Sequence, residues 1–364
     1  MNIRQIKTAI AKFKNANVSI IKDDAMRVKA QKLQAKQKGF TLLELLVVIT
    51  LLATLSTAAL VAYDGAGENA RDAAAATAVN TLEGTLRNYR SIVGEYPEQF
   101  DNLANVDGVL TGGAMQLMST QTQSFFGQLT ITAAAADAGT SQAGAIFSSL
   151  KKAGLEELQS VQSSTTWGEG YVPNLAMNES YALATNPGSE IEFTEAGPMT
   201  FADADIGTAN SFTNVALSIV PSGGDGSNGC RVFAADDLSV TFNNTTLTDN
   251  KVLNLISDGL DSEGCDLVVA LGIGKEVPGA TLGEAVEISQ VPTVGTNDIN
   301  PKDNYARAIA LFQVGSDGSD GSVEDGTISE SEIFEKARLI AVVDGEGRTI
   351  DQIVADATAS MNDS

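Results

Sequence analysis

The sequence predicts an α+β chain: a long N-terminal α-helix, its first half suited to a membrane and its second half amphipathic, packed on a C-terminal globular head with an antiparallel β-sheet. Three observations predict it. Phe40 to Ala62 is an almost uncharged apolar run. Apolar residues then recur at three- and four-residue steps from Ala75 to Val93, the period of a helix with one covered face. From about residue 190, short runs rich in β-branched and apolar residues alternate with Gly-, Asp-, Ser- and Asn-rich turns, the pattern of strands.

Composition narrows the function classes. The chain has no histidine, which removes the commonest general base and the commonest transition-metal ligand. A Ser-His-Asp triad and His-ligated zinc or haem are therefore excluded, and no C-x-x-C-H run is present for haem attachment. No catalytic constellation is read, so an enzyme is not expected. The net charge is -23, unevenly placed. Residues 1–39 hold ten Lys/Arg against Asp23 and Asp24, a net of +8, and the other 325 residues hold 13 against 44, a net of -31. So acidic a body repels phosphate, and no direct nucleic-acid binding is expected. The split suggests a basic cytoplasmic end and an acidic exported end.

The leading element is FTLLELLVVITLLATLSTAALVA, residues 40–62, with Glu44 as its one charge. About 20 apolar residues span a bilayer as a helix, and a secretory signal peptide has a shorter apolar stretch followed by a small-residue cleavage site. A carboxylate near the end of such a helix costs a few kcal/mol on insertion scales. Charge placement alone fits a side chain reaching for the membrane edge as well as it fits a functional group. The flank decides between them. Lys36-Gln37-Lys38-Gly39 precedes Phe40-Thr41-Leu42-Leu43-Glu44, and this combination resembles the prepilin peptidase site of the type IV pilin and type II secretion pseudopilin family.

The resemblance, specific over residues 36–62, implies cleavage between Gly39 and Phe40 by a prepilin peptidase and N-methylation of Phe40. It implies that Glu44 pairs with the Phe40 amine of a neighbouring copy during assembly, which removes the cost of a buried lone charge. Its further partners are copies of the chain and related pilins in a helical filament, an inner-membrane platform protein and a cytoplasmic ATPase, with the lipid bilayer as the environment before assembly. The implied location is the inner membrane, single-pass, as precursor, and a cell-surface or periplasmic filament when assembled. Many members carry a glycine and a proline partway along this helix; here Ala53 and Val61 stand there. Any loosening is expected at Gly65-Ala66-Gly67, since each glycine costs a helix roughly 1 kcal/mol relative to alanine. The leader, residues 1–39, is long for the family. Met26 offers a second possible start, and equally the full leader carries Ile3, Ile6, Ile10 and Phe13 at helical spacing among lysines, suited to the inner membrane face.

After Gly67 the stripe Ala75, Val79, Leu82, Leu86, Tyr89 and Val93 predicts helix to near Gly94, with Pro97 beyond. Glu68, Asp72, Arg87 and Arg90 lie off the stripe. The helix 40–93 would be about 80 Å long if continuous. Gly94-Glu95-Tyr96-Pro97 resembles the stretch that follows this helix in major pseudopilins. Residues 98–137 read as loop and 141–160 as a helix. The strand candidates are Glu190–Thr194, Asn214–Val220, Leu238–Phe242, Asp266–Leu271, Ala306–Val314 and Arg338–Val343. Turns are expected at Pro221–Gly229, Gly315–Gly326 and Asp344–Gly347, and Thr349–Met361 reads as a closing helix. The organisation is leader 1–39, helix 40–93 and extracytoplasmic head 94–364.

Few other sites stand out. Cys230 and Cys265, an even count in an exported chain, favour one disulfide over two buried thiols, with roughly 3–4 kcal/mol from loop closure. In SDGSDGSVEDG, residues 316–326, Asp317, Asp320, Glu324 and Asp325 offer oxygens of the kind calcium takes, although EF-hand spacing is absent and a solvated acidic turn explains them more simply. Some pseudopilins carry a calcium near the C-terminal end. No other cofactor is expected. Gly272-Ile273-Gly274-Lys275 lacks the Walker spacing and reads as a turn after a strand. Asn178-Glu179-Ser180 and Asn243-Asn244-Thr245 match glycosylation acceptors by chance spacing. The rival to a filament subunit is a membrane-anchored extracytoplasmic binding or enzyme domain with an uncleaved anchor.

Overall fold

The structure, a computed structural model, describes residues 8–9, 11–13, 15–35, 42–98, 100–105, 118, 120–132, 142–161, 188–192, 200–202, 214–220, 238–242, 265–273 and 304–362. The chain forms two compact units, Met1–Asp64 and Gly65–Ser364.

In the first unit, residues 8–9 and 11–13 are helical, a 3₁₀ turn follows at Val18–Ile20, and α1 runs Asp24–Ala35. Asp23 caps α1, its carboxylate accepting from the Ala25 and Met26 amides. Gln34 Nε2 reaches back to the carbonyls of Phe13 (2.9 Å) and Ala16 (3.1 Å), taking acceptors that a helix end leaves open. Helix α2, Leu42–Val93, then begins, two residues beyond Phe40; residues 36–41 lie outside the described ones. Gly65, Ala66 and Gly67 are helical in the single chain.

In the second unit the later part of α2 buries Ala75, Ala78, Val79, Leu82 and Leu86. This is the predicted stripe with two corrections: Tyr89 is only half-buried and Val93 is exposed, because the covering layer ends before the last turn. Gly94 closes the helix at φ +93°, its amide bonded to the Arg90 carbonyl, a left-handed position that glycine adopts without strain.

The other elements are β1 (Phe100–Asn105), α3 (Thr120–Gln123), β2 (Gly127–Thr132), α4 (Gln142–Lys152), β3 (Glu157–Val161), β4 (Gly188–Glu192), β5 (Thr200–Ala202), β6 (Asn214–Val220), β7 (Leu238–Phe242), β8 (Asp266–Ile273), β9 (Ala308–Ser316), β10 (Ile333–Val343) and α5 (Ile350–Asn362). β6 and β7 match their predicted spans and the other predicted strands shift by a few residues. The loop expected over 98–137 instead holds β1, β2 and α3. The helix expected over 141–160 stops at Lys152, where Gly154 at φ +98° turns the chain into β3. A Cβ on Gly154 would lie 2.4 Å from the Tyr96 carbonyl oxygen, so only glycine fits. Asp344–Gly347 is a turn as expected, with Gly347 at φ +75°.

The ten strands form one branched sheet. β9 pairs along the whole of β8, and β10 pairs with β9. Along its other edge β8 meets β6 at Val268 and Val269, and β1 at Leu271 and Gly272. One branch continues β6–β2–β7 and the other β1–β3–β4–β5. Among the described residues all pairings are antiparallel except β1 with β3. Asn102 sits in the fork, donating from Nδ2 to the Ala216 carbonyl (2.7 Å) and accepting at Oδ1 from the Ser218 amide (3.3 Å). A carboxamide thus supplies the bonds that two diverging strands cannot give each other.

Both faces of the central strands are covered. Leu267, Val269 and Leu271 of β8 join Phe312 of β9, the α2 stripe and α4 in one core. Val268 and Ala270 join Ile309, Leu311 and Phe126 in the other. Alternate residues of a strand point to opposite faces, so each strand serves two cores.

Candidate functional site

The residues of interest lie in the segment that opens α2, in the seam that holds the later part of α2 on the sheet, in a buried cluster on β1 and in the acidic loop.

Glu44 lies in the first turn of α2 and is exposed, where the helix dipole favours a carboxylate. Leu42–Leu60 is, among the described residues, the one helix long and apolar enough to cross a membrane, and none of it is buried. Within it the Thr50, Thr54 and Thr57 hydroxyls donate to the carbonyls of Val47, Leu51 and Ala53, each at 2.9 Å. Polar groups bonded inside the helix are what an apolar surround requires. Gly39 and Phe40, the expected cleavage and methylation residues, lie outside the described residues.

At the seam, Arg87 bonds Glu83 and donates from Nη2 to the Ile340 carbonyl at 2.9 Å. The Tyr96 hydroxyl accepts from Arg90 Nη1 (2.7 Å) and from the Leu339 amide (2.9 Å). Leu339 and Ile340 mark a register shift between β10 and β9, and the helix takes up backbone groups there. The Tyr96 ring meets Phe312 edge-on at 5.1 Å. Tyr96→Phe keeps the packing and strips the Leu339 amide of its acceptor, so the head should lose ~1–3 kcal/mol, measured by denaturant unfolding; an unchanged midpoint counts against the bond. Arg348 makes a second clasp. Its guanidinium meets Asp344 (2.9 Å) and Glu346 (2.8 Å) of the turn, Asp356 of α5 (3.4 Å) and Asp72 of α2 (3.6 Å).

A third cluster is fully buried: Asp101 of β1 pairs with Arg307 and accepts from the Tyr305 hydroxyl at 2.7 Å. Burial, and then the Asp101 charge, push the Tyr305 hydroxyl well above its ordinary value, so it stays protonated and donating. A Cβ on Gly272 would fall 1.7 Å from that hydroxyl. Gly272 is therefore part of β8 rather than the turn its sequence suggests, and it is glycine because the tyrosine lies across it. No local pattern marks this cluster, because Asp101 stands about two hundred residues before Tyr305 and Arg307.

Cys265 is buried and disulfide-bonded; its expected partner Cys230 lies outside the described residues, as do both glycosylation matches. The Cys265 carbonyl accepts from the Asp317 amide at 2.8 Å, at the root of the acidic loop.

The four loop residues expected to offer oxygens to calcium do not converge. Asp317 accepts from the Asp325 and Gly326 amides, Asp320 from the Ser322 amide and Ser331 hydroxyl, and Asp325 from the Thr327 amide and hydroxyl. Glu332, which sequence reading missed, is buried and accepts from the Gly318 (2.7 Å) and Ser329 (2.6 Å) amides. Among the described residues no three acidic side chains gather as a metal site. As arranged, the carboxylates hold the loop through its own donors, so no role is derived for calcium.

Those bonds shift titration. The Ser331 and Ser322 donors lower Asp320, and the Thr327 hydroxyl and amide lower Asp325. Burial raises Glu332, but the Ser329 and Gly318 donors outweigh it and the net shift is down. Carboxyls lowered by folding stabilise the loop above the unfolded values, near pH 4, and lose that contribution as pH falls through the folded values. The Gly318, Ser322 and Thr327 amide resonances should therefore each titrate with a midpoint below the ordinary value of the carboxyl it meets, Glu332, Asp320 and Asp325 in turn. A midpoint at or above the ordinary carboxyl range would contradict the assignment.

Residues 34–60 match the model of the prokaryotic N-terminal methylation motif. No curated protein and no solved structure matches the chain. The segment is thus of the prepilin type, and its apolar helix fits membrane anchoring.

Proposed function

We propose that the chain is a structural subunit of a type IV pilus or a type II secretion pseudopilus. The observation that carries this reading is the methylation motif at residues 34–60 laid over an exposed apolar helix with Glu44 in its first turn. In this reading a prepilin peptidase removes residues 1–39 at Gly39–Phe40 and methylates Phe40. Helix 40–93 then leaves the bilayer and packs against other copies, and the head 94–364, with Cys230 bonded to Cys265, stays outside. Lipid is as apolar as leucine, so packing in the membrane gains little from burial alone. Extraction therefore requires driven machinery, an ATPase with an inner-membrane platform.

The mature N-terminus tests this. Mass spectrometry of the exported protein should find a chain beginning at N-methylated Phe40. A leader still attached would replace the filament reading with that of an uncleaved anchor carrying an extracytoplasmic domain.

A further inference from the structure

The described part of the leader is folded, and its surface is not that of an inert tag. Gln34 ties α1 back to the Phe13 and Ala16 carbonyls, so the described residues between 8 and 35 form a helical hairpin. Met26 and Leu33, seven residues apart and so on one face of α1, are 64% and 57% exposed. Ile20 in the 3₁₀ turn is 76% exposed. Lys22, Lys29 and Lys32 are exposed. Arg27 pairs with Asp24, and Asp23 is engaged in capping. Lysines beside exposed apolar side chains are the make-up of a helix that lies in a membrane interface, with its stems along the acyl boundary and its charges among headgroups.

The chain supplies the surface as well. Six residues join Ala35 of the hairpin to Leu42, where the membrane-suited helix begins, and the seven extended steps between those two residues reach at most about 25 Å. A site held that close to a bilayer meets it at high effective concentration, so modest intrinsic affinity suffices. We infer that the hairpin of residues 8–35 docks on the anionic lipid of the cytoplasmic leaflet, inserting Met26, Leu33 and Ile20 and placing Lys22, Lys29 and Lys32 among acidic headgroups. Docking would hold the leader against the membrane until cleavage separates it from the spanning helix. The inference rests on the reading of residues 42–60 as membrane-spanning.

The full-length precursor carrying a fluorophore on Leu33→Cys would be reconstituted into vesicles whose acyl chains are brominated. One set is phosphatidylcholine, the other an equal mixture with phosphatidylglycerol. A label on Leu51→Cys reports the span. The Leu51 label should be quenched in both sets and the Leu33 label in the mixed set alone. Quenching at Leu33 should disappear at salt on the order of 1 M, where the Debye length is about 3 Å. Exchanging Lys22, Lys29 and Lys32 together for glutamine should lower the ratio of docked to free hairpin on the order of a hundredfold, about fivefold for each lysine near an anionic surface. A Leu33 label that stays in water in the mixed vesicles, or is quenched equally in both, overturns the inference while the Leu51 signal keeps the spanning helix intact. Failure of quenching at Leu51 overturns the spanning reading itself.

Discussion

Glu44→Ala should cut the yield of sheared surface filaments by about tenfold or more, with leader removal and head stability unchanged. In the proposed assembly the substitution leaves a neighbour's Phe40 amine buried against apolar side chains without its counter-charge. The effective penalty for a buried ion is several kcal/mol, and each 1.4 kcal/mol is a factor of about ten. Glu44→Gln preserves shape and removes charge, so it should fail equally. Filaments counted by electron microscopy report assembly, and the mass of the mature N-terminus separates it from processing. Wild-type filament yield in both variants would rule out the charge pair as the organising contact. Loss of cleavage together with loss of filaments would place Glu44 in peptidase recognition instead.

Arg307→Met should destabilise the head by ~3–5 kcal/mol, because it leaves the Asp101 carboxylate buried without its cation. Asp101 and Arg307 are both fully buried, and removal of one partner exposes the desolvation cost of the other. The double variant Asp101→Leu with Arg307→Met should recover a large share of the loss, since a buried pair replaced by apolar residues is often neutral. Denaturant unfolding of the two single variants and the double variant gives the coupling. Equal additive losses would mean the two groups do not act as a pair.

The contrast between these positions explains what the sequence discloses. The segment around Glu44 is legible because its signal is contiguous: glycine, phenylalanine, carboxylate and apolar run stand side by side. β8 is legible for a similar reason, since DLVVALGI is buried throughout and, after Asp266, reads as an unbroken run without polar side chains. β1 hides because Asp101 and Asn102 interrupt its apolar pattern. Both are buried, and their partners Arg307, Tyr305 and Ala216 lie more than a hundred residues away. β2 opens on Gly127 and the buried Gln128, residues that score as loop. The helix predicted over 141–160 ran too far because Leu155 and Leu158 keep helical spacing while lying beyond the Gly154 turn. The acidic loop is ambiguous in sequence for a different reason. Composition shows carboxylates but not which donors they face, and here those donors are the loop's own amides and hydroxyls.

The seam between α2 and β10 also sets a timetable. Arg87 and Ile340 are 253 residues apart, and Tyr96 and Leu339 are 243 apart. Synthesis at ~5–20 residues per second makes that gap roughly 10–50 s. Throughout it, the stripe Ala75 to Leu86 has emerged while the strand that covers it has not. In the proposed exported subunit, a holding chaperone or the bilayer itself would shelter whatever part of the stripe α4 and β8 leave uncovered until β10 arrives. A chain truncated before β10 never ends the wait, and it is expected to meet proteases rather than join a fibre.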